Sequence, residues 1–158
     1  MRGKSWSESF STLLGVGRVG WMSGTAGSAA ALLILLAAGG INPVVLILVI
    51  VTGTFAADRY AKESGTEDPG EVVIDEVAGF WTSMEGLDAS SAIAAFFLFR
   101  VIDIVKPFPV DKMEKLPGGV GIMADDVCGG LMVNAILRLA SWLLYSGGVD
   151  AIHKYFEG

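Results

Sequence analysis

The sequence predicts an all-α fold: a compact, membrane-embedded bundle of about five main helices behind an amphipathic N-terminal helix, in one domain covering residues 1–158. Three observations predict it. Apolar residues make up 53% of the chain and charged ones only 18%, with a mean hydropathy of +0.59, too apolar for an ordinary soluble domain. Residues 26–57 form 32 consecutive positions without a charge, where one span needs about 17–25. Glycine and proline then cut the rest into apolar segments of helical length. A long buried hairpin in a soluble helical protein would share the second of these features.

The elements follow in order. Trp6, Phe10, Leu13 and Leu14 recur at helical spacing, which predicts a short amphipathic helix at a membrane interface. Gly15, Gly17 and Gly20 break it. Gly24-Thr25-Ala26-Gly27-Ser28 opens the first apolar run. Small residues, hydroxyls and free amides at a helix start suit an anion, or equally a cap or a close helix contact. The first main helix is expected over 26–38 and the second over 43–57, with Gly39-Gly40-Ile41-Asn42-Pro43 as the turn. Neither carries an ionisable group, so both read as scaffold, short for a span without tilt or local thinning.

Residues 58–71 read as a polar loop with Pro69-Gly70 as a turn, and Glu67-Asp68 as acids within possible reach of a site. Ile74 opens the third helix, with Asp75 and Glu76 side by side in its first turn. Gly79 lies on the same side, where it lets another backbone or a ligand come close. The helix is expected to end near Gly86, with Asp88 capping the fourth. That fourth helix, 89–104, is uncharged until its last turns bring Arg100, Asp103 and, just beyond, Lys106 within about 120° of one face. Ionisable groups against so apolar a background are costly and usually functional. Pro107 and Pro109 stop it.

A loop over 110–124 leads to the fifth helix, expected over 125–145. Asp125 and Asp126 open it, ahead of 11 uncharged residues at 127–137. Acids at a helix start are favoured by the dipole, yet one cap would be enough, and two adjacent carboxylates repel. Gly129, Gly130 and Asn134 share the side of Asp126, which suggests close packing. Arg138 is expected to pair with an acid or to snorkel.

Composition excludes several classes. The net charge of −6 without a basic patch argues against nucleic acid. The single Cys128 cannot form a disulfide within the chain, and no cleavable signal peptide is visible, since Glu8 and small polar residues interrupt the first fifteen positions.

Basic residues orient the bundle. With the N-terminus in the cytoplasm and the third and fourth helices as a pair, Arg2, Lys4, Arg18, Arg59, Lys62, Lys106, Lys112 and Lys115 all fall inside, and only Lys154 outside. The same orientation gathers Asp75-Glu76, Arg100-Asp103-Lys106 and Asp125-Asp126 at one membrane face. The segment from Gly24 to Ser28 falls there too. The third helix is short on the lipid side, which is consistent with half-insertion.

Oxygen-only ligands select a hard cation, Mg²⁺ above all. Zinc is disfavoured by one cysteine and one histidine. Bases beside a carboxylate-bound metal suit a phosphate, and phosphoryl chemistry needs charge neutralisation more than a covalent nucleophile. A Cys-x₅-Arg phosphatase loop is absent, because Arg138 lies ten residues after Cys128, and His153 stands alone. Asp75, Glu76, Asp125 and Asp126 are thus candidate metal ligands, one of them also the base for water. Arg100 and Lys106 are candidate phosphate holders, with Asp103 as a ligand or an orienter of Arg100. Thr25 and Ser28 are candidate phosphate contacts. The composite is a metal-dependent enzyme acting on a phosphorylated lipid at the inner leaflet.

Four ordered motifs carry a resemblance over nearly the whole chain. Gly24-Thr25-Ala26-Gly27-Ser28, the Asp68-Pro69-Gly70-Glu71 run to Gly79, Phe99-Arg100-Val101-Ile102-Asp103 through Pro109, and Gly118-Gly119-Val120-Gly121 through Asp126 resemble the bacterial phosphatidylglycerophosphatase A family. Ser23 stands where the family often has proline, and Phe108 where tryptophan is common. The resemblance implies Mg²⁺-dependent hydrolysis of phosphatidylglycerophosphate to phosphatidylglycerol at the bacterial inner membrane, on the cytoplasmic face. It maps the family's acids and Arg-Asp-Lys trio onto the residues named above. Two other classes share the ingredients. A CDP-alcohol transferase also uses membrane carboxylates and a metal, but its Asp-Gly-x-x-Ala-Arg signature is absent. A small cation-coupled transporter or scaffold could also hold buried acids.

Overall fold

Seven helices form the architecture of a computed structural model that describes residues 5–145, and no strand occurs among them. They are α1 (Trp6–Ser11), α2 (Ser23–Ala38), α3 (Pro43–Ser64), α4 (Ile74–Met84), α5 (Ala92–Val105), α6 (Val110–Met113) and α7 (Gly118–Tyr145). The all-α expectation holds. Arg2, Lys4, His153 and Lys154, which entered the sequence reading, lie outside the described residues.

Three helical stretches are long and apolar enough to cross a membrane: Gly20–Ala38, Pro43–Ser64 and Gly118–Tyr145. Their outward faces carry exposed leucine, isoleucine and valine, as a lipid-facing surface requires. The chain is a membrane protein. Asn42 caps α3 through its Oδ1, which accepts from the Val44 N–H at 2.8 Å, with Pro43 at the first helical position.

Helix α3 runs seven residues past the expected end at Ala57. Two pairs one turn apart, Asp58–Lys62 at 2.5 Å and Arg59–Glu63 at 2.8 Å, extend it. Half of the expected polar loop is therefore helix. Helix α7 begins seven residues before Asp125, so the two acids lie two turns inside it. Its start is rich in glycine where α3 leaves no room for side chains. A Cβ on Gly119 would overlap the Thr54 carbonyl oxygen, and one on Gly53 would come within 2.5 Å of the Met123 methyl carbon. The N-terminal helix is shorter than the periodicity suggests, six residues, and Leu13 and Leu14 follow it in a left-handed turn.

Helix α4 is the buried centre. Val77, Ala78, Phe80 and Ser83 are sealed from solvent, and Trp81 donates its indole N–H to the Ala31 carbonyl of α2 at 3.0 Å. Its 11 residues rise about 16 Å and the 14 of α5 about 21 Å, against a hydrocarbon core of about 30 Å. In a bilayer, two helices of this length would form a hairpin that enters and returns on one side. The carbonyls ending α4 would have no partner at that depth. Helix α7 supplies them: Asn134 Nδ2 donates to the Ser83 and Glu85 carbonyls at 3.0 and 2.9 Å, and Arg138 Nη2 to Glu85 at 2.7 Å. Arg138 thus caps a helix, where the sequence suggested an acid partner or snorkelling.

Helices α4 and α7 cross where each is glycine. A Cβ on Gly79 would lie 2.6 Å from the Asp126 carbonyl oxygen, and one on Gly130 would overlap the Gly79 carbonyl. One turn before each glycine stands an acid pair, so the crossing brings Asp75-Glu76 against Asp125-Asp126. Gly130→Ala forces one backbone off the other and is expected to destabilise by about 1–3 kcal/mol. Gly129→Ala meets only side chains, Ile102 at 3.3 Å and Phe99 at 4.0 Å, and should cost far less. Thermal unfolding of the two variants in detergent checks the contrast; equal midpoints would dismiss the crossing as the constraint.

Candidate active site

The acids in α4 sit in its first turn, as the sequence predicts, whereas those in α7 do not cap a helix at all. Dipole capping therefore fails to explain Asp125 and Asp126. Both are nonetheless buried, 7% and 4% exposed. The pairs repeat one local arrangement: the backbone N–H of the second acid donates to Oδ1 of the first, at 3.0 Å in Glu76–Asp75 and 3.0 Å in Asp126–Asp125. In each pair this contact ties one oxygen of the first carboxylate to its neighbour's backbone.

Asp75, Glu76 and Asp126 each offer a carboxylate oxygen within 4.8 Å of the other two. Burial, with repulsion from Asp125 and Asp68, pushes the Asp75 carboxyl up to about 6. Burial and the adjacent Asp75 raise Glu76 well above the usual range. Three carboxylates this close cannot all ionise without a counter-cation. Glu76 Oε2 is buried without a hydrogen-bond partner, an unfilled valence pointing to a ligand. The donor set is oxygen only, which fits a hard divalent cation.

Arg100 comes from α5 and donates from Nη1 to Asp103 Oδ2 at 2.5 Å, one turn away. Its Nε is buried and unpartnered. The start of α2 closes this side: a Cβ on Gly24 would lie 2.5 Å from Glu76 Oε1 and 3.0 Å from Arg100 Nη1. The Gly24 backbone thus lies directly against the cluster.

Lys106 ends α5 in the left-handed conformation, φ 46° and ψ 59°, and its N–H caps the helix on the Ile102 carbonyl at 2.7 Å. Such a conformation is uncommon for a side chain with a Cβ. It turns the ammonium to Asp125 Oδ2 at 2.8 Å and Glu114 Oε1 at 3.0 Å. Burial alone would lower its pKa, but Asp125 and Glu114 outweigh burial and hold Lys106 above the usual lysine value. It is a fixed cation.

These groups line a cleft of about 770 Å³ that includes Asp75, Glu76, Asp103, Lys106, Asp125 and Asp126. Arg100 stands behind Glu76, toward α2 and α5, outside the cleft wall. Thr25 and Ser28 do not line it either. Ser28 is sealed and donates its hydroxyl to the Gly24 carbonyl at 2.9 Å. Glu67 and Asp68 do face the cleft, with Ser23, Lys62, Glu114 and Lys115. Asp58, placed by the sequence in the polar loop, lines it as well. Its Oδ1 accepts from the Gly119 N–H at 3.3 Å, pinning the start of α7 to α3. The Asp58–Lys62 spacing was visible in the sequence; nothing in it marked Glu114.

Cleft, cation-seeking carboxylates and fixed bases together suit a phosphate ester held between a metal and ammonium or guanidinium groups. Comparison with known proteins agrees in kind. A family model described as "PgpA: Phosphatidylglycerophosphatase A" matches residues 9–141. A protein of Bacteroides thetaiotaomicron with the provisional name phosphatidylinositol-3-phosphatase is 39% identical over 105 residues, 63% of this chain and 65% of that one. Proteins named phosphatidylglycerophosphatase A are each 34% identical. The one from Escherichia coli K12 matches over 98 residues, 60% of this chain and 57% of its own. The one from Haemophilus influenzae matches over 102 residues, 61% and 63%. The matched part is less than two thirds of each relative. No solved structure matches the chain.

Proposed function

This chain belongs to the phosphatidylglycerophosphatase A family, and from that premise we propose that it is a phosphatase. Its reaction is hydrolysis of the terminal phosphomonoester of phosphatidylglycerophosphate, giving phosphatidylglycerol and phosphate, with Mg²⁺ as cofactor. The observation that carries this reading is the convergence of Asp75, Glu76 and Asp126 in one cleft with the fixed cation Lys106, beside Arg100.

Asp75, Glu76 and Asp126 would hold the cation. Asp125, already engaged by Lys106, holds that lysine toward the phosphate. Mg²⁺, when bound, supplies charge neutralisation on the phosphoryl oxygens and a lowered pKa for water. Lys106 from the cleft and Arg100 from behind Glu76 balance the remaining negative charge, and Asp103 orients Arg100. Water attacks phosphorus, and the bond from phosphorus to the glycerol oxygen breaks. A carboxylate of the set takes the proton from water, and the leaving oxygen is released as an alcohol after protonation. Thr25 and Ser28 contribute through the shape of the α2 start more than through their hydroxyls.

Arg18, Arg59, Lys62, Lys106, Lys112 and Lys115 all lie at the helix ends nearest the acids. We assign that end to the cytoplasmic face of the bacterial inner membrane. The relative named for phosphatidylinositol-3-phosphate favours a second reading of the substrate, because that lipid also carries a phosphomonoester on a polyol headgroup.

The test is phosphate release from micellar phosphatidylglycerophosphate, phosphatidylinositol-3-phosphate and phosphatidic acid, each with Mg²⁺ and with EDTA. Mg²⁺-dependent release confined to the first is the expected outcome. Release from the second alone would replace the substrate. No release from any, with ion flux in liposomes, would replace the enzyme by a transporter.

A further inference from the structure

The chain between α1 and α2 presents an apolar surface that the fold does not use. Trp21 is 94% exposed and Leu14 84%; Val19 and Met22 are exposed beside Trp21 in sequence, and Trp6, at the start of α1, is exposed as well. Leu14 is not on a regular helix face. Leu13 and Leu14 both adopt positive φ, 48° and 57°, a conformation that side chains with a Cβ rarely adopt. The turn is held all the same: Gly15 and Gly17 donate their N–H groups to the Thr12 carbonyl at 3.0 and 3.1 Å. Leu13 packs inward against the core while Leu14 is turned out. A held, strained turn that presents a leucine outward beside exposed tryptophan is a feature that points to a binding surface.

The position of this surface names what covers it. The first membrane-crossing stretch begins at Gly20, so Trp21 lies in its first turn, where a spanning helix leaves the hydrocarbon. Arg18 stands between Leu14 and Trp21 with its charge paired to Glu8 and Glu71. Arg59 lies 5.6 Å from the Trp6 ring centroid and restrains that ring. Exposed indoles next to arginine at the end of a span are the composition of a headgroup boundary.

The segment is also built into the site. Val73 donates its N–H to the Ser11 carbonyl at 2.9 Å, and a Cβ on Gly17 would overlap the Glu71 carbonyl oxygen. It therefore packs on residues 71–73, which lead directly into Asp75-Glu76.

We propose that Leu14 and Trp21, with Trp6, form a docking surface that lies in the headgroup boundary of the leaflet facing the acid cluster. The partner is lipid, not a second protein chain. Gly24, which touches Glu76 and Arg100, follows Trp21 by three residues, or about 4.5 Å of helix. The acids then lie close to the docked indole, on the same side of the membrane. This holds whatever reaction the acids perform.

The test places an environment-sensitive fluorophore on Leu14→Cys and Trp21→Cys in full-length protein. Each is reconstituted in nanodiscs of phosphatidylethanolamine and phosphatidylglycerol, with Glu67→Cys as an exposed control. The wild-type chain, whose one cysteine is Cys128, is the labelling blank. Blue-shifted emission at 14 and 21, quenched more by a nitroxide near the lipid ester linkage than by one near the chain end, is expected, with water-like emission at 67. Water-like emission at 14 and 21 would overturn the proposal, as would stronger quenching from the chain end. A blue shift that no lipid nitroxide quenches would overturn it in favour of a protein partner.

Discussion

Asp126→Asn is expected to abolish Mg²⁺-dependent phosphate release while leaving the protein folded. Asp126 is almost sealed from solvent, and its carboxylate is one of three that converge. The amide keeps the shape and removes the charge that recruits the cation. Losing several kcal/mol of metal-supplied charge stabilisation corresponds to a drop on the order of 1,000-fold. Stability should move the other way. Without metal, the variant lacks a buried, crowded carboxylate and should melt at or above the wild-type temperature. With metal, the wild type should gain stability by binding and the variant should not. Normal turnover in both Asp126→Asn and Asp75→Asn would refute the assignment of the cation site.

Gly24→Ala should be nearly as damaging to activity, although it removes no functional group. The new methyl would sit 2.5 Å from Glu76 Oε1 and 3.0 Å from Arg100 Nη1. Both are far ends of flexible side chains, so the backbone need not move. Alanine is also the better helix former, by about 1 kcal/mol in a helix interior. The midpoint of unfolding should therefore hold or rise. The cluster cannot yield so cheaply, because displacing Glu76 and Arg100 by about 1 Å disturbs both the cation site and the phosphate cradle. Misplacement on that scale costs about 100-fold. Full activity with unchanged stability would show that α2 is a wall and nothing more.

Much of this site was legible in the residues. Paired acids at Asp75-Glu76 and Asp125-Asp126, and the trio Arg100, Asp103 and Lys106, stand out because ionisable groups are expensive among so many aliphatic ones. Gly79 and Gly130 were readable as close-approach positions, and the structure makes them the crossing of α4 and α7. The start of α7 was not readable. Gly118 to Gly121 has poor helix propensity, and the reason for glycine there, close approach to the Thr54 and Asp58 backbone, comes from a helix about sixty residues earlier. The length of α3 was obscured for the opposite reason: charge suggested loop, while one-turn charge pairs made helix. The left-handed turn at Lys106 and its second partner Glu114 depend on the path of the chain after Pro107, which periodicity does not encode. Arg100, a member of the expected set, turned out to stand behind the cleft wall, a difference of depth that sequence spacing cannot register.

The cap that α7 places on α4 has a consequence for how the protein is made. Among the described residues, the Ser83 and Glu85 carbonyls find their partners in Asn134 and Arg138, about fifty residues downstream in order of synthesis. A nascent chain that has emerged only through α5 holds a hairpin whose tip has nothing to bond with in the hydrocarbon. That hairpin must wait at the surface, or in a protected channel, until the last span arrives. Membrane insertion would thus be out of sequence order: α2 and α3 first, α7 next, and α4 with α5 drawn in beside it. A chain stopped before residue 118 should leave the α4–α5 hairpin open to added protease, and the full chain should protect it.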